Sequence, residues 1–510
     1  MGFSDPFYGY SVLLRAIVYG VVPAFTAWQI VRLRRALHIF QLDGYKRARF
    51  MDWVRRNRRR ALFLGARRQK KALVMTGRAW RILIVATLLS VGAILLPSAA
   101  AHLAGGAPWD LVTWAVATAC VFVGAPRLIT LADVLLVPVQ SAINARYLRA
   151  ARRRLSEVRP VVVGITGSFG KTSTKLAVRR LLGPEEAVLA TPDSFNTPLG
   201  VCRTINEQLA PAHRYFVVEM GAYKEGDIAE LARFARPRIG VLTSIGPAHL
   251  KRFGSIDAVR KAKYELVAAL GAEDTAVMNV DDPEVRALAD KTEHVPVVRY
   301  GLDPSGAPDV TARAVQVGPA GTDMTVVDAP SGGSVSVRTR LVGRHATGHV
   351  LAAIAVARAA GRPLSDLAGA IDQLEPPPHR LQLIEGTGGV TVIDDAYNSN
   401  PQGAAAALEV LAAMPGGGRK VVVTPGMIEL GDLQAGENER FGEAAGAVAD
   451  TVIVVGSTNR AALVAGAERA RRAEVVAVDT LADATERLRV LLGPGDVVLF
   501  ENDLPDQYEG

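Results

Sequence analysis

From residue 161 onward, short apolar runs recur, most of them closed by a polar residue: 161–165, 215–219, 239–243 and 276–279. Ala-rich stretches with helical spacing separate them. This alternation predicts an α/β fold on a parallel sheet, with the polar residues at strand ends, where open α/β sheets bind ligands. Residues 310–317 (Val-Thr-Ala-Arg-Ala-Val-Gln-Val) and 335–342 (Val-Ser-Val-Arg-Thr-Arg-Leu-Val) alternate apolar and polar instead, so 309–342 is expected to be a small antiparallel addition. Pro376-Pro377-Pro378 then breaks the chain before a second α/β stretch, with strands expected near 390–394, 420–424, 451–455 and 496–500. The domains so drawn are 158–375 and 376–510.

Residues 1–157 follow another pattern. Residues 11–31 hold one charge, Arg15, and 82–101 hold none; residues 111–125 run into Pro126-Arg127 and resume over 128–139 with Asp133 inside. Each is long enough, the third only if kinked or tilted, to be a transmembrane helix, which predicts about three spans. Between the first two, residues 32–79 carry sixteen Lys and Arg against Asp43 and Asp52, a local charge of +14 in a chain whose net charge is +9. The remainder is mildly acidic, which argues against nucleic-acid binding by the α/β region. Read by the positive-inside rule, 32–79 is a basic cytoplasmic loop and the α/β region is cytoplasmic, so the expected location is the cytoplasmic membrane, multi-pass. A cleavable signal peptide would carry its positive charge before the apolar run. Phe40, Tyr45, Phe50, Trp53 and Phe63 interleave with Arg in a way that permits base stacking, but a juxtamembrane basic stretch points first to anionic lipid. Cys120 and Cys202 form neither a metal site nor a disulfide framework.

The most specific chemistry lies in Gly164-Ile165-Thr166-Gly167-Ser168-Phe169-Gly170-Lys171-Thr172-Ser173, between an apolar strand and a helical stretch from Thr174. Glycines ahead of Lys-Thr at a helix start make a cradle for nucleotide phosphates, with Lys171 on the β/γ-phosphates and Thr172 on Mg²⁺. The general Gly-x4-Gly-Lys spacing fails at Ile165; the fit is to Thr-Gly-Ser-x-Gly-Lys-Thr-Ser. ATP is the expected cofactor, and Glu219, a carboxylate ending an apolar strand, a further metal ligand. Out of context, Lys263 reads as a solvated lysine and His249 as a structural histidine.

Several further runs stand in order. They are Val217-Val218-Glu219-Met220-Gly221-Ala222, Thr243-Ser244-Ile245-Gly246-Pro247-Ala248-His249-Leu250, Lys261-Ala262-Lys263-Tyr264-Glu265, Ile393-Asp394-Asp395-Ala396-Tyr397-Asn398-Ser399-Asn400-Pro401 and Gly426-Met427-Ile428-Glu429-Leu430-Gly431. Together with the phosphate loop they resemble the Mur ligase family over about residues 160–500, nearest the branch that adds D-alanyl-D-alanine to a muramoyl-tripeptide.

The resemblance implies a central P-loop ATPase domain and a C-terminal Rossmann-like domain. It implies a ligase that turns a carboxylate into an acyl phosphate for attack by an amino acid or a dipeptide such as D-Ala-D-Ala. Lys171, Glu219, His249 and Lys263 would be catalytic, and Thr166, Gly167, Ser168, Gly170, Lys171, Thr172, Ser173, Asn279, Arg380 and Asp395 would hold ATP. Asn196, Thr197, Asn398 and Asn400 would meet substrate. Thr172, Glu219, His249 and a carbamoylated Lys263 would hold two Mg²⁺.

Three departures stand out. Ala346 and His349 occupy positions where the family has asparagines, Glu501-Asn502-Asp503 stands in place of a Lys-Gly-Ser stretch, and the membrane region replaces the UDP-binding domain. The acceptor is therefore expected to be a UDP- or lipid-linked muramoyl-peptide. A polyglutamate-type synthase and a non-catalytic nucleotide-binding scaffold are the competing readings.

Overall fold

The computed structural model describes residues 28–58, 72–105, 109–192 and 195–504. The chain divides into two compact units, Met1–Arg146 and Tyr147–Gly510.

In the first unit, the described part of the basic stretch is helical: residues 28–42 and Arg47–Arg56 form helices. Leu33, Leu37 and Phe40 repeat at helical spacing and, with Phe50 of the next helix, are fully buried beside Ile82, Ala125 and Ile129. Two of the basic side chains are committed to a buried carboxylate, Arg47 and Arg78 reaching Asp133 at 3.0 and 2.9 Å. Helices Gly77–Gly105 and Trp109–Leu135 follow; the second runs through Pro126 and stops at Leu135, so 137–139 belong to helix Val137–Val158. By length and composition, Gly77–Ala101 and Val112–Leu135 could each cross a membrane, with mean hydropathy 2.3 and 1.7. Among the described residues these are two candidates against three expected, and residues 11–27 of the first expected span lie outside the described residues.

In the second unit, β1 (Val161–Thr166), β2 (Val188–Ala190), β3 (Tyr215–Glu219), β4 (Ile239–Leu242), β5 (Thr275–Asn279) and β6 (Val297–Tyr300) form a parallel array in the order β2-β3-β1-β4-β5-β6. The sheet continues as an antiparallel meander, β7 (Val310–Gly318), β8 (Gly321–Asp328) and β9 (Gly333–Thr339). The alternating segment is thus joined to the edge of the parallel sheet, through Tyr300 and Val310.

A second sheet holds β10 (Gln382–Glu385), β11 (Thr391–Asp395), β12 (Lys420–Thr424), β13 (Thr451–Val455), β14 (Glu474–Val478) and β15 (Val497–Glu501) in the order β10-β11-β15-β12-β13-β14. The fully buried helix segment 350–357 fills the core on one face of the first sheet, against Val163, Ile165 and Val241. In the chain order, β1 leads toward β2 on one side while β4 leads toward β5 on the other. The crevice between their C-terminal ends is therefore a topological switch point, where open α/β sheets bind ligands.

Candidate active site

The phosphate loop occupies that crevice. Gly167 has φ +156°, and a Cβ there would lie 2.0 Å from Thr243 Oγ1; Gly170 has φ +79°, and a Cβ there would lie 2.8 Å from His349 Cε1. Only glycine suits either position. Thr243 and Ser244 hydroxyls donate to Phe169 O at 2.6 and 3.1 Å, and the Ser168 hydroxyl donates to Gly246 O at 3.1 Å, so the loop is pinned by the segment after β4. Thr166 is fully buried and donates to Met220 O. Lys171 Nζ donates to the loop's own carbonyls, Gly167 O at 2.8 Å and Ser168 O at 3.3 Å.

Glu219 ends β3 in register with Ile165 of β1. Its Oε2 accepts from Thr172 Oγ1 at 3.0 Å and pairs with Lys175 Nζ at 3.2 Å, while Oε1 accepts from Asn196 Nδ2 at 3.1 Å. Burial alone would raise its pKa, but Lys175, Lys171 and the hydrogen bonds hold the carboxyl below its ordinary value. Lys263, on helix Ile256–Ala268, is 3% exposed, not a solvated lysine. Burial, then the Lys171 charge, drive its pKa well below the ordinary value against the pull of Glu219, Glu265 and Asp227. Lys171, Thr172, Glu219 and Lys263 are thus brought to one place, and Lys175 and Asn196 join them on Glu219.

His249 lies on the next loop, and its Nδ1 is 2.6 Å from Glu429 Oε2. Burial would raise the Glu429 carboxyl, but His249 and Arg252 bring it down to about 2. Arg252 also donates to Glu429, and its guanidinium lies 4.4 Å from the Tyr223 ring centre.

Opposite the phosphate helix Lys171–Leu182, a cleft is lined by Ser173, Ala177, His345, His349, Pro377 and Arg380. Burial pushes His345 and His349 down to about 4 and about 3, so both rings are neutral. His349 Nδ1 lies 3.2 Å from Thr174 Oγ1, and His345 Nδ1 is buried with no partner. Arg380 stacks over Tyr397, 4.4 Å to the ring centre, and donates to Asn398 O.

Other expected site residues serve the backbone. Asn279 donates to Thr243 O at 2.8 Å; Thr197 and Asn400 cap the helices Pro198–Gln208 and Pro401–Ala413. Asp395 and Glu501 face each other across β11 and β15. Burial raises both, Asp395 to about 6; the nearness of Asp395 lifts Glu501 further, whereas the hydrogen bond with Glu501 and the Arg380 charge oppose the rise of Asp395. Among the described residues no three His, Cys, Asp or Glu side chains cluster as a metal site.

Residues 165–357 match the Mur ligase middle domain, and residues 379–501 match the Mur ligase glutamate ligase domain. The UDP-N-acetylmuramoyl-tripeptide–D-alanyl-D-alanine ligase of Mycobacterium leprae is 34% identical over 383 residues, which cover 70% of this chain and 74% of that protein. The chain belongs to the Mur ligase family. It is therefore an ATP-dependent ligase, and a non-catalytic scaffold is excluded as its family role.

The Escherichia coli ligase of the same description is 33% identical over 338 residues, 66% of this Mur ligase and 72% of that protein. MurF from Acinetobacter baumannii superposes with TM-score 0.64 at 25% identity, over 72% of this chain and 78% of that one. MurF from Thermotoga maritima, solved in complex with ADP, superposes with TM-score 0.62 at 27% identity, over 71% and 80%.

These relatives overturn the expected multi-pass location in the cytoplasmic membrane. They are ligases named for a UDP-linked precursor, and the two apolar helices of this Mur ligase pass a test of length and composition that the core helix of a soluble protein passes equally.

Proposed function

We propose that this Mur ligase joins D-alanyl-D-alanine to the terminal carboxylate of UDP-N-acetylmuramoyl-tripeptide, with ATP converted to ADP and phosphate. The observation that carries the reading is the meeting of Lys171, Thr172, Glu219 and Lys263 at the phosphate loop, in a chain that covers 74% of a relative named for that reaction.

In the first step the acceptor carboxylate attacks the γ-phosphorus of ATP; an O–P bond forms, the bond to the β-phosphate oxygen breaks, and ADP leaves. The amine then attacks the acyl carbon, and phosphate departs. Positioning and charge neutralisation are the protein's task. Lys171 meets the phosphate oxygens, and the cleft beside Ser173, His349 and Arg380 takes the base. The adjacent Thr172 hydroxyl and Glu219 carboxylate are hard oxygen donors that suit Mg²⁺, which characteristically takes one or two carboxylates plus substrate phosphates. When bound, Mg²⁺ supplies charge neutralisation on the transferring phosphoryl group. Asn196 Nδ2 steadies Glu219 through its hydrogen bond to Oε1. Burial lowers the Lys263 pKa and so favours its unprotonated amine, which would add to CO₂ through nitrogen with loss of a proton; the carbamate would offer Mg²⁺ an oxygen donor that lysine itself lacks.

The test is ADP release with Mg²⁺ and ATP across acceptor and amine pairs, with Lys171→Ala as control. Turnover that requires UDP-N-acetylmuramoyl-tripeptide together with D-alanyl-D-alanine is expected. Turnover only with another pair, free glutamate chains included, would overturn the substrate assignment.

A further inference from the structure

We propose that Lys175 withholds Glu219 from a free divalent cation, and so makes cation binding there depend on nucleotide phosphates. This rests on the ligase reading above in one respect, that Thr172 and Glu219 hold Mg²⁺ beside the nucleotide.

Lys175 stands one turn after Lys171 on the helix Lys171–Leu182, and its ammonium lies 3.2 Å from Glu219 Oε2, with the two side chains 1% and 2% exposed. Thr172 Oγ1 donates to the same oxygen, and Asn196 Nδ2 donates to Oε1. Asn196 is itself fixed by Gly221, whose N–H donates to Asn196 O at 3.0 Å and where a Cβ would lie 2.7 Å from Asn196 Cγ. The carboxylate is therefore held at both oxygens, and its direction needs no ammonium. Nor does stability call for one, because desolvation of a buried ion pair offsets most of its Coulomb gain. What Lys175 adds is a fixed positive charge.

That charge lies against the oxygen a metal would use. Burial would raise the Glu219 carboxyl, but Lys175 and then Lys171 hold it below its ordinary value, and Lys263 is a further buried lysine on which Lys171 and Glu219 both act. The two other carboxylates acting on Lys263 are turned to backbone. Glu265 accepts from the N–H groups of Gly226 and Ala229, and Asp227 from those of Tyr223 and Lys224. A divalent cation arriving alone gains one carboxylate and meets the ammonium already on it, whereas a phosphate chain arriving alone is drawn by the lysines. Bound phosphates reverse the local sign, and the cation then gains from them and from Glu219 together. One side chain thus acts on the two ligands in opposite senses, against the free cation and for the nucleotide.

The test measures Mn²⁺ affinity without nucleotide, by the electron paramagnetic resonance signal of free Mn²⁺, and ADP affinity in EDTA, by calorimetry. Wild type is expected to bind Mn²⁺ at least about tenfold more tightly with ADP than without it. Lys175→Gln loses the charge and keeps an N–H for Glu219; it should bind Mn²⁺ alone about tenfold more tightly than wild type, and ADP alone about tenfold more weakly. Lys175→Met should move both affinities in the same directions. The gain in Mn²⁺ affinity should vanish when Lys175→Gln is combined with Glu219→Gln, which locates it at the carboxylate. Unchanged Mn²⁺ affinity in Lys175→Gln, or Mn²⁺ and ADP weakened together, would overturn the proposal, since Lys175 would then serve the fold alone. A gain that survives Glu219→Gln would overturn it as well. Should neither Lys175 variant fold, the wild type decides, because Mn²⁺ held as tightly without ADP as with it would refute any withholding of Glu219. None of these measurements requires ligation, so a wild type that binds both ligands as expected but joins no peptide would defeat the substrate reading alone.

Discussion

Lys175→Met removes the ammonium that neutralises Glu219 while keeping most of the apolar stem. Lys175 and Glu219 are 1% and 2% exposed and 3.2 Å apart, so the change strands a buried carboxylate. Removing one partner of a buried pair costs about 3–5 kcal/mol. The hydrogen bonds from Thr172 and Asn196, and the nearby charge of Lys171, survive the change and place the expected loss at the lower end, about 3 kcal/mol, or roughly 100-fold in the unfolding equilibrium of the ATP domain.

The loss carries a pH signature. In the wild type the Glu219 carboxyl is held below its ordinary pKa, so it contributes stability above that value, and the contribution fades as pH falls through the depressed one. In the variant burial dominates and the pKa rises, so acidification relieves the stranded charge and the deficit shrinks. Mg²⁺ with ADP supplies a replacement cation and should protect the variant more than the wild type. Scanning calorimetry of the ADP-sensitive transition, at about pH 7.5 and about pH 5, reads all three effects. A loss under about 1 kcal/mol at the higher pH, or a deficit that grows on acidification, would refute the account.

Gly170→Ala places a methyl group 2.8 Å from His349 at φ +79°; ADP affinity measured by calorimetry should fall by about tenfold or more at unchanged helix content, and unchanged affinity would contradict the described loop. ¹³C-bicarbonate should give a carbamate signal by nuclear magnetic resonance that is absent in Lys263→Ala. The signal should weaken as pH falls and the amine protonates, because its depressed pKa keeps the amine neutral only above that value. Asp395 and Glu501 are raised above their ordinary values, so their contribution to stability is present below the ordinary carboxylate range and is lost as pH rises through the raised values, about 6 for Asp395. Glu501→Gln should flatten that decline in a pH series of thermal melts, and an unchanged slope would remove the pair as its cause.

The phosphate loop and Glu219 were legible because they obey local rules: glycines where φ is positive, a lysine at a helix start, a carboxylate at a strand end. Lys175 is legible on the same ground, standing four residues after Lys171 on the same helix. The first helix of the basic stretch is also legible in Leu33, Leu37 and Phe40, whose spacing is helical. Asn279, Thr197 and Asn400 are expected from the resemblance alone, and in the fold their side chains bond backbone groups. The candidate spans show the limit of composition, because an apolar helix satisfies a bilayer and a protein core by the same criterion.

Period, glycine placement and motif order were enough for the α/β class, the family and the nucleotide cradle, because each is written within a few residues of chain. The partners of those residues were not. That Lys175 neutralises Glu219, that Lys263 is buried near a second lysine, and that Glu429 meets His249 across 180 residues depend on how strands and domains pack. Burial and the nearness of charge set protonation, tautomer and metal affinity, and both arise from contacts that the linear spacing of residues does not contain.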